Sequence, residues 1–206
     1  LKQNKFISLA TIGGLAVGLT SFLLLLLYLN NELSYDQWDP SLKEVYRISE
    51  QTESNFMNNP APAALAPFLK EHMPGIAAYT KIQQSGSYDI LFSAGDKKIY
   101  QRDVVTADSG FFDVFPYKLL AGNPATAFKS QDAILLTPEV SDKLFGKEDP
   151  IGKVVTLYNK LPFTVTGIIA PISTPSHIQA KVVLRDPARG SIVESWGNIS
   201  YITYVR

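Results

Sequence analysis

The chain has 206 residues, of which 46% are hydrophobic, and its 19 basic and 19 acidic residues give a formal net charge of zero. This balance provides no field that would attract a polyanion, so nucleic acid is not an expected partner. The absence of cysteine excludes disulfides, thiolate metal sites and a cysteine nucleophile.

The first predicted element is a long apolar helix over residues 6–29, which carry no charge. At about 1.5 Å per residue this helix is roughly 36 Å long, enough to cross a hydrocarbon core of about 30 Å. The alternatives are a cleaved secretory signal and a buried core helix. A signal has a shorter apolar region and a small-residue cleavage site, which the following YLNNELSYD does not offer. A soluble core helix rarely lacks polar residues for about six turns, so we predict an uncleaved transmembrane span.

The charges that flank this span predict its orientation. Lys2 and Lys5 precede it, whereas Glu32, Asp36 and Asp39 follow it. Basic flanks stay in the cytoplasm, so residues 1–5 form a cytoplasmic flank and residues 30–206 lie on the outer side. With Lys2 and Lys5 set aside, 17 basic residues face 19 acidic ones, and the outer part has a net charge near −2. Its length suffices for one or two compact domains with a real core.

A ridge of small residues lies in the first half of the span. Ala10, Gly14 and Gly18 are spaced by four residues and therefore share one helix face. Small residues let a second helix approach closely, which is how helices commonly associate in lipid. We predict that this face packs against another span. The alternative, a span that contains glycines but has no partner, stays open.

The outer part is predicted to be α+β, because short strands and short helices alternate along it. Strands are predicted at residues 45–51, 76–84, 88–93, 99–106, 133–137, 154–158, 163–169, 179–184 and 199–205. A short helix with an apolar stripe of Leu65, Phe68, Leu69 and Met73 is predicted to end at Pro74-Gly75.

Two further helical segments are predicted in the outer part. Phe111, Phe112 and Phe115 suit a helical turn that presses aromatic rings into a core. A second segment has Thr137 as N-cap, Pro138 at the first helical position and Gly146 as its stop.

The polar residues give no convincing catalytic or metal site. His72 and His177 stand in no ligand spacing, and neither a phosphate-binding glycine loop nor a serine nucleophile elbow is present. Asp103, Asp108 and Asp113 are interpreted as residues of a solvated surface. We therefore predict no catalytic residue, no bound cofactor and no metal, and that the chain is not an enzyme.

Two stretches resemble a known family. NKFISLATIGGLAVGLTSFLLLLLYLNNELSYD, followed by YRISE, is similar to the first span of FtsX-like and MacB-like ABC transporter permeases. DSGFFDVFPYKLLAGNPATAF, then LFGKEDPIGK and FTVTGII, resemble in that order the MacB-type periplasmic core domain. The residues of LFGKEDPIGK themselves indicate a structural connector, because Gly146 ends a helix, Asp149-Pro150 begins a turn and Gly152 permits a tight strand entry.

The resemblance implies an inner-membrane permease subunit with four spans and a large periplasmic domain between the first two. It implies a second permease copy in a dimer, a separate cytoplasmic ABC ATPase that hydrolyses ATP, a periplasmic adaptor protein, and export or efflux as the outcome. Membrane lipid surrounds the span. On this reading the sequence is an N-terminal fragment that ends before the remaining spans.

Two other functions are compatible with one span and an outer domain. The first is a membrane-anchored binding or sensor domain, which would lack further spans after Arg206. The second is an anchored hydrolase, which requires a convergent set of polar residues that the sequence does not display.

Overall fold

The computed structural model of this protein describes residues 5–49, 61–186 and 195–206. The chain divides into two compact units. The first comprises the residues up to Trp38 together with Ser173–His177, and the second comprises Asp39–Ile172 and Ile178–Arg206.

Helix α1 of the first unit spans Lys5–Leu33 and contains no buried residue. Its 29 residues make a helix of about 43 Å, and its composition is apolar enough to cross a membrane. The hydroxyls of Thr11 and Thr20 donate to the carbonyls of Ile7 and Ala16 at 2.9 and 2.7 Å, so both are satisfied within the helix. The helix extends four residues beyond the predicted end at residue 29, because no glycine or proline interrupts the polar exit segment.

The described part of the second unit contains one mixed sheet of eleven strands. They are β1 (Tyr46–Ile48), β2 (Tyr79–Gln84), β3 (Ile90–Ala94), β4 (Lys97–Gln101), β5 (Val104–Ala107), β6 (Leu119–Gly122), β7 (Ala133–Leu136), β8 (Val154–Leu157), β9 (Leu161–Ile169), β10 (Val182–Arg185) and β11 (Ile202–Val205).

The strand order is β1-β11-β2-β5-β10-β7-β9-β8-β3-β4, and β6 pairs with β9 outside this order. The pairs β5–β10 and β7–β9 are parallel, and the other described pairs are antiparallel. Strand β10 therefore lies in the middle of the sheet, whereas β1 and β4 lie at its two edges.

Three helices of the second unit are described: α2 (Leu65–His72), α3 (Phe111–Val114) and α4 (Pro138–Phe145). Helix α4 contacts β3, β4, β7 and β9 and covers the main core. Its Val140 and Leu144 pack with Phe92, Ile134 and Leu136, all at most 2% exposed. Mixed strands and helices confirm the predicted α+β class.

The predicted aromatic turn is confirmed as α3. Phe111 is fully buried, Phe115 is 3% exposed, and both lie in a cluster with Tyr117, Phe128 and Tyr204. Ring centroids in this cluster are 5.0 to 6.1 Å apart, the usual spacing of packed aromatic pairs.

The predicted strand over residues 99–106 is wrong, because two strands occupy this segment. β4 ends at Gln101 and β5 begins at Val104, and Asp103 between them has a φ of +59°. Aspartate tolerates this left-handed conformation better than most residues do. The corner lets β4 stay in a hairpin with β3 while β5 pairs with β2 and β10.

Other predicted boundaries shift by a few residues. The strands predicted from residues 76, 179 and 199 begin at Tyr79, Val182 and Ile202. Before the first of these, the amides of Ala77 and Ala78 both donate to Arg206 O, at 2.6 and 3.0 Å, which is not a regular ladder. β1 ends at Ile48, and residues 50 and 51 of its predicted range lie outside the described residues. β6 has no predicted counterpart, because four half-exposed or exposed residues carry no alternating pattern.

The predicted role of Thr137 needs a correction. Its backbone is extended, as an N-cap requires, and Pro138 begins α4. Its side chain makes no capping bond, and Oγ1 is buried without a hydrogen-bond partner among the described residues. Gly146 ends the helix as predicted, with a φ of +65°.

Candidate functional site

The predicted packing face of α1 is exposed along its whole length. Ala10, Gly14 and Gly18 lie at four-residue intervals on the helix, with no buried neighbour. A Cβ atom built on Gly14 or Gly18 would meet no atom within 4 Å. Within the described part of the chain nothing covers this face, so its packing against another helix stays a prediction.

Helix α1 ends in an exit turn formed by residues 34–37. The amide of Ser34 donates to Asn30 O at 3.1 Å, and that of Tyr35 donates to Glu32 O at 3.3 Å. The side-chain amide of Gln37 donates to Leu33 O at 2.5 Å. These bonds continue the helix directly into Asp36, which has a φ of +55°. Asp36 therefore has a defined position relative to the end of α1.

Asp36 binds the loop Ser173–His177 through four hydrogen bonds. Its carboxylate accepts from the hydroxyl of Ser176 at 2.6 Å, the amide of His177 at 3.0 Å and the His177 ring Nδ1 at 2.5 Å. The amide of Asp36 donates to Pro175 O at 2.9 Å. The sequence analysis missed this contact, because its two halves are 141 residues apart and neither carries a local signal.

The two histidines do not share a site. His177 bonds to Asp36, whereas His72 is the last residue of α2, where its ring stacks on Phe68 and Nδ1 donates to Phe68 O at 2.9 Å. Among the described residues no cluster of three or more His, Asp or Glu side chains could hold a metal ion. These contacts orient loops and helix ends rather than a reacting group.

The surface interpretation of Asp108 is wrong. Its carboxylate accepts hydrogen bonds from the hydroxyl of Thr80 at 2.8 Å, the amide of Lys81 at 3.1 Å and the amide of Gly110 at 3.1 Å. Burial raises the pKa of Asp108, and these bonds oppose the rise. Asp108 thus joins β2 to the start of α3. Asp103 forms the corner described above, and the carbonyl of exposed Asp113 accepts from Arg206 at 3.3 Å.

In the segment DSGFF, Asp108, Gly110 and Phe111 have structural roles. Asp108 caps the turn, and the buried ring of Phe111 enters the aromatic cluster. A Cβ atom on Gly110 would lie 2.0 Å from the carbonyl oxygen of Tyr79. Only glycine allows α3 to approach β2 this closely.

The segment LFGKEDPIGK is a connector, as predicted from its residues. Gly146 and Gly152 have φ angles of +65° and +79°. Asp149 accepts from the amide of Ile151 at 3.0 Å, and the amide of Gly152 donates to Val165 O at 2.8 Å. Glu148 forms an ion pair with Lys153 across the turn. These contacts hold the passage from α4 to β8 and attach it to β9.

The chain matches the sequence model of one protein family over residues 8–203, and that family is described as the MacB-like periplasmic core domain. A search of curated proteins found no significant match. Among the solved structures that match, two share the fold at low sequence identity.

The first similar structure is a domain described as belonging to a permease protein of Porphyromonas gingivalis. It has 22% identity and a TM-score of 0.68, and the match covers 81% of this chain and 76% of that one. The second is the periplasmic region of MacB from Actinobacillus actinomycetemcomitans. It has 17% identity and a TM-score of 0.52, with 79% and 72% covered.

Proposed function

Because the chain belongs to the family of MacB-like periplasmic core domains of ABC transporter permeases, we propose that it is part of an inner-membrane permease subunit. In this proposal α1 crosses the inner membrane with its N terminus in the cytoplasm, and residues 30–206 form the periplasmic domain. A separate cytoplasmic ABC ATPase hydrolyses ATP, and the resulting movement of the spans displaces the periplasmic domain for export or efflux.

One observation carries this proposal. The family match begins at residue 8, inside α1, and continues through the sheet to residue 203. An exposed apolar helix and a folded polar domain therefore occur together as one family unit. The basic residues before α1 and the acidic residues after it support the orientation.

The proposed assembly gives the small-residue face of α1 a partner. Ala10, Gly14 and Gly18 would pack against another span of the permease or of its second copy, with lipid around the remaining circumference. A periplasmic adaptor would bind the outer domain. No cofactor or catalytic residue of this chain is needed, because ATP hydrolysis takes place on the partner.

The proposal is tested by purifying the full-length protein with an affinity tag from its native membrane. We expect an ABC ATPase to co-purify and its ATP hydrolysis rate to change when the complex is reconstituted in lipid nanodiscs. A variant of that ATPase with an inactivated Walker motif should still bind but not hydrolyse ATP. A protein with a single span and no bound ATPase would contradict the proposal and favour an anchored binding or sensor domain.

A further inference from the structure

Asp36, which follows α1, contacts the loop Ser173–His177, which connects β9 to β10. We call Asp36, Pro175, Ser176 and His177 the exit joint. Three acceptor bonds and one backbone bond in the opposite direction hold it together. An exposed ion pair alone contributes little. This joint also includes two backbone amides and Ser176, which is 5% exposed.

On its loop side the exit joint is next to a buried anchor. Ile178 directly follows His177, is 2% exposed, and accepts a hydrogen bond at its carbonyl from the hydroxyl of Tyr117 at 2.8 Å. Ala180 is 5% exposed, and β10 begins at Val182. The segment between the joint and the central strand β10 is therefore short and held in place by buried residues.

The other end of the loop, which follows β9, is also anchored in the sheet. β9 ends at the fully buried Ile169, and the amide of Ala170 donates to Lys118 O at 2.8 Å. Pro171 and Pro175 restrict the backbone between β9 and the joint. The loop thus connects two strands that lie in the interior of the sheet and pair with a neighbour on both sides.

On its helix side the joint is continuous with α1. The hydrogen bonds of the exit turn fix Asp36 relative to Asn30, Glu32 and Leu33, as described above. The chain that follows Asp36 takes a different route. It passes through a 3-10 turn (Pro40–Glu44) to β1, which lies at an edge of the sheet and has only three residues.

We propose that the exit joint passes movement of α1 to strands β9 and β10, in addition to the chain connection through β1. Asp36, Ser176 and His177 act as positioning residues, since they set where the force of the span enters the sheet. The inference rests on the proposed function, because it assumes that an ATPase moves α1. Without the joint, the described chain after α1 would carry this movement into the sheet through the short edge strand β1.

The test uses the full-length protein bound to its ATPase in nanodiscs. Hydrogen–deuterium exchange is measured over residues 170–185, without nucleotide and after trapping with ATP and vanadate. Asp36→Gly is the main variant, because glycine accepts a φ of +55° without strain and the substitution removes the side chain that carries the carboxylate. Asp36→Asn keeps the left-handed preference and one acceptor oxygen. Asp39→Gly is the matched control, since that carboxylate bonds locally to Ser41 at 2.9 and 2.7 Å.

We expect wild type to show a nucleotide-dependent change of exchange in this segment. In Asp36→Gly the His177 amide should exchange at least about tenfold faster, the factor that corresponds to one charge-assisted hydrogen bond. The nucleotide-dependent change should be lost, with ATPase binding and hydrolysis within about twofold of wild type. Asp36→Asn should be intermediate, and Asp39→Gly should match wild type.

The experiment distinguishes failure of the exit-joint proposal from failure of the proposed function. An Asp36→Gly variant that keeps the full nucleotide-dependent change would overturn the exit joint and leave the proposed function standing. The same holds if its His177 amide exchanges at the wild-type rate. A wild-type protein that shows no nucleotide response, or binds no ATPase, would overturn the proposed function and this inference with it.

Discussion

Some glycines of the second unit, called the sheet region below, have surroundings opposite to those of the glycines in α1. In α1, a Cβ atom on Gly13, Gly14 or Gly18 would meet nothing within 4 Å. In the sheet region, a Cβ atom on Gly110 would lie 2.0 Å from Tyr79 O, and one on Gly122 would lie 2.5 Å from Thr166 O. At Gly110 and Gly122 the missing side chain lets two backbone segments of the sheet region come together, whereas the space beside the α1 glycines is open.

Large apolar residues differ between the two regions in the same way. Leu24 of α1 is 62% exposed, whereas Leu136 of β7 is fully buried. The sheet region buries its apolar surface within itself, which is the ordinary source of stability in water. The apolar surface of α1 needs another apolar environment, and a bilayer provides one. Identical residue types therefore predict different consequences of substitution in the two regions.

The largest expected effect on stability comes from substituting a glycine that has no space for a side chain. Gly110→Ala should lower the free energy of unfolding by about 4 kcal/mol or more, because its Cβ would overlap a backbone oxygen. Gly75→Ala is the control, since its Cβ would meet nothing within 4 Å and should change stability by less than about 0.5 kcal/mol. Denaturant unfolding followed by tryptophan fluorescence measures both, and equal effects would contradict the account.

The next largest effect on stability is expected from substituting a buried leucine, and an exposed leucine of α1 serves as its control. Leu136→Ala should cost about 3 kcal/mol, because it leaves a cavity in the main core. Leu24→Ala in α1 should leave the unfolding of the sheet region unchanged, as it removes no contact there. The same fluorescence-detected unfolding in detergent compares the two variants. A comparable loss for Leu24→Ala would mean that α1 is part of the core.

A smaller effect is expected at Asp108, and it depends on pH. Asp108→Asn should cost about 1–2 kcal/mol at acidic pH, because both oxygens of the protonated carboxyl group can still accept a hydrogen bond, whereas the NH2 group of the amide cannot. Burial raises the pKa of Asp108 above its ordinary value of 3.8, so the folded state binds the proton more tightly than the unfolded chain. Ionisation of Asp108 therefore weakens the fold as pH rises through the raised pKa.

The measurement is the difference in unfolding free energy between wild type and Asp108→Asn as a function of pH. This difference should decline as pH rises from 3.8 through the raised pKa. A difference that is constant over this interval, or that grows with pH, would show that burial does not dominate the environment of Asp108.

The smallest expected effect on stability lies on the small-residue face of α1. Gly14→Leu should leave unfolding of the sheet region unchanged but weaken assembly of the full-length permease, because a bulky side chain blocks a close helix approach. Gly13→Leu is a matched control on a different helix face, with equal open space in this structure. Co-purification with the ATPase and size in detergent measure assembly. Equal assembly of the two variants would argue against a packing role for Gly14.

Local patterns predicted most elements of the fold, but not where the chain reverses without a glycine or proline. The segment TPEVSDKLFG carries its own start and stop signals and forms α4 as expected. No such signal separates Ile99–Tyr100–Gln101 from Val104, so the sequence did not predict the corner at Asp103 between β4 and β5. Pairing across the sheet, rather than local sequence, determines that corner.

Only the part of the candidate site that lies within one helix was predictable from the sequence. The spacing of Ala10, Gly14 and Gly18 is a property of one helix and can be identified from the sequence. The bonds between Asp36 and His177 depend on a fold that brings residues 141 positions apart together. The burial of Asp108 likewise depends on β2, 27 and 28 residues earlier in the chain.

The central claim, that α1 lies in a membrane with the sheet region on its outer side, is tested most directly by cysteine labelling. The chain has no cysteine, so Lys5→Cys and Asp96→Cys, at the exposed tip of the β3–β4 hairpin, each give a single reporter. In spheroplasts, a membrane-impermeant maleimide should label Asp96→Cys fully, and Lys5→Cys only after the membrane is permeabilised. Labelling of both sites, or of Lys5→Cys alone, in intact spheroplasts would contradict the account.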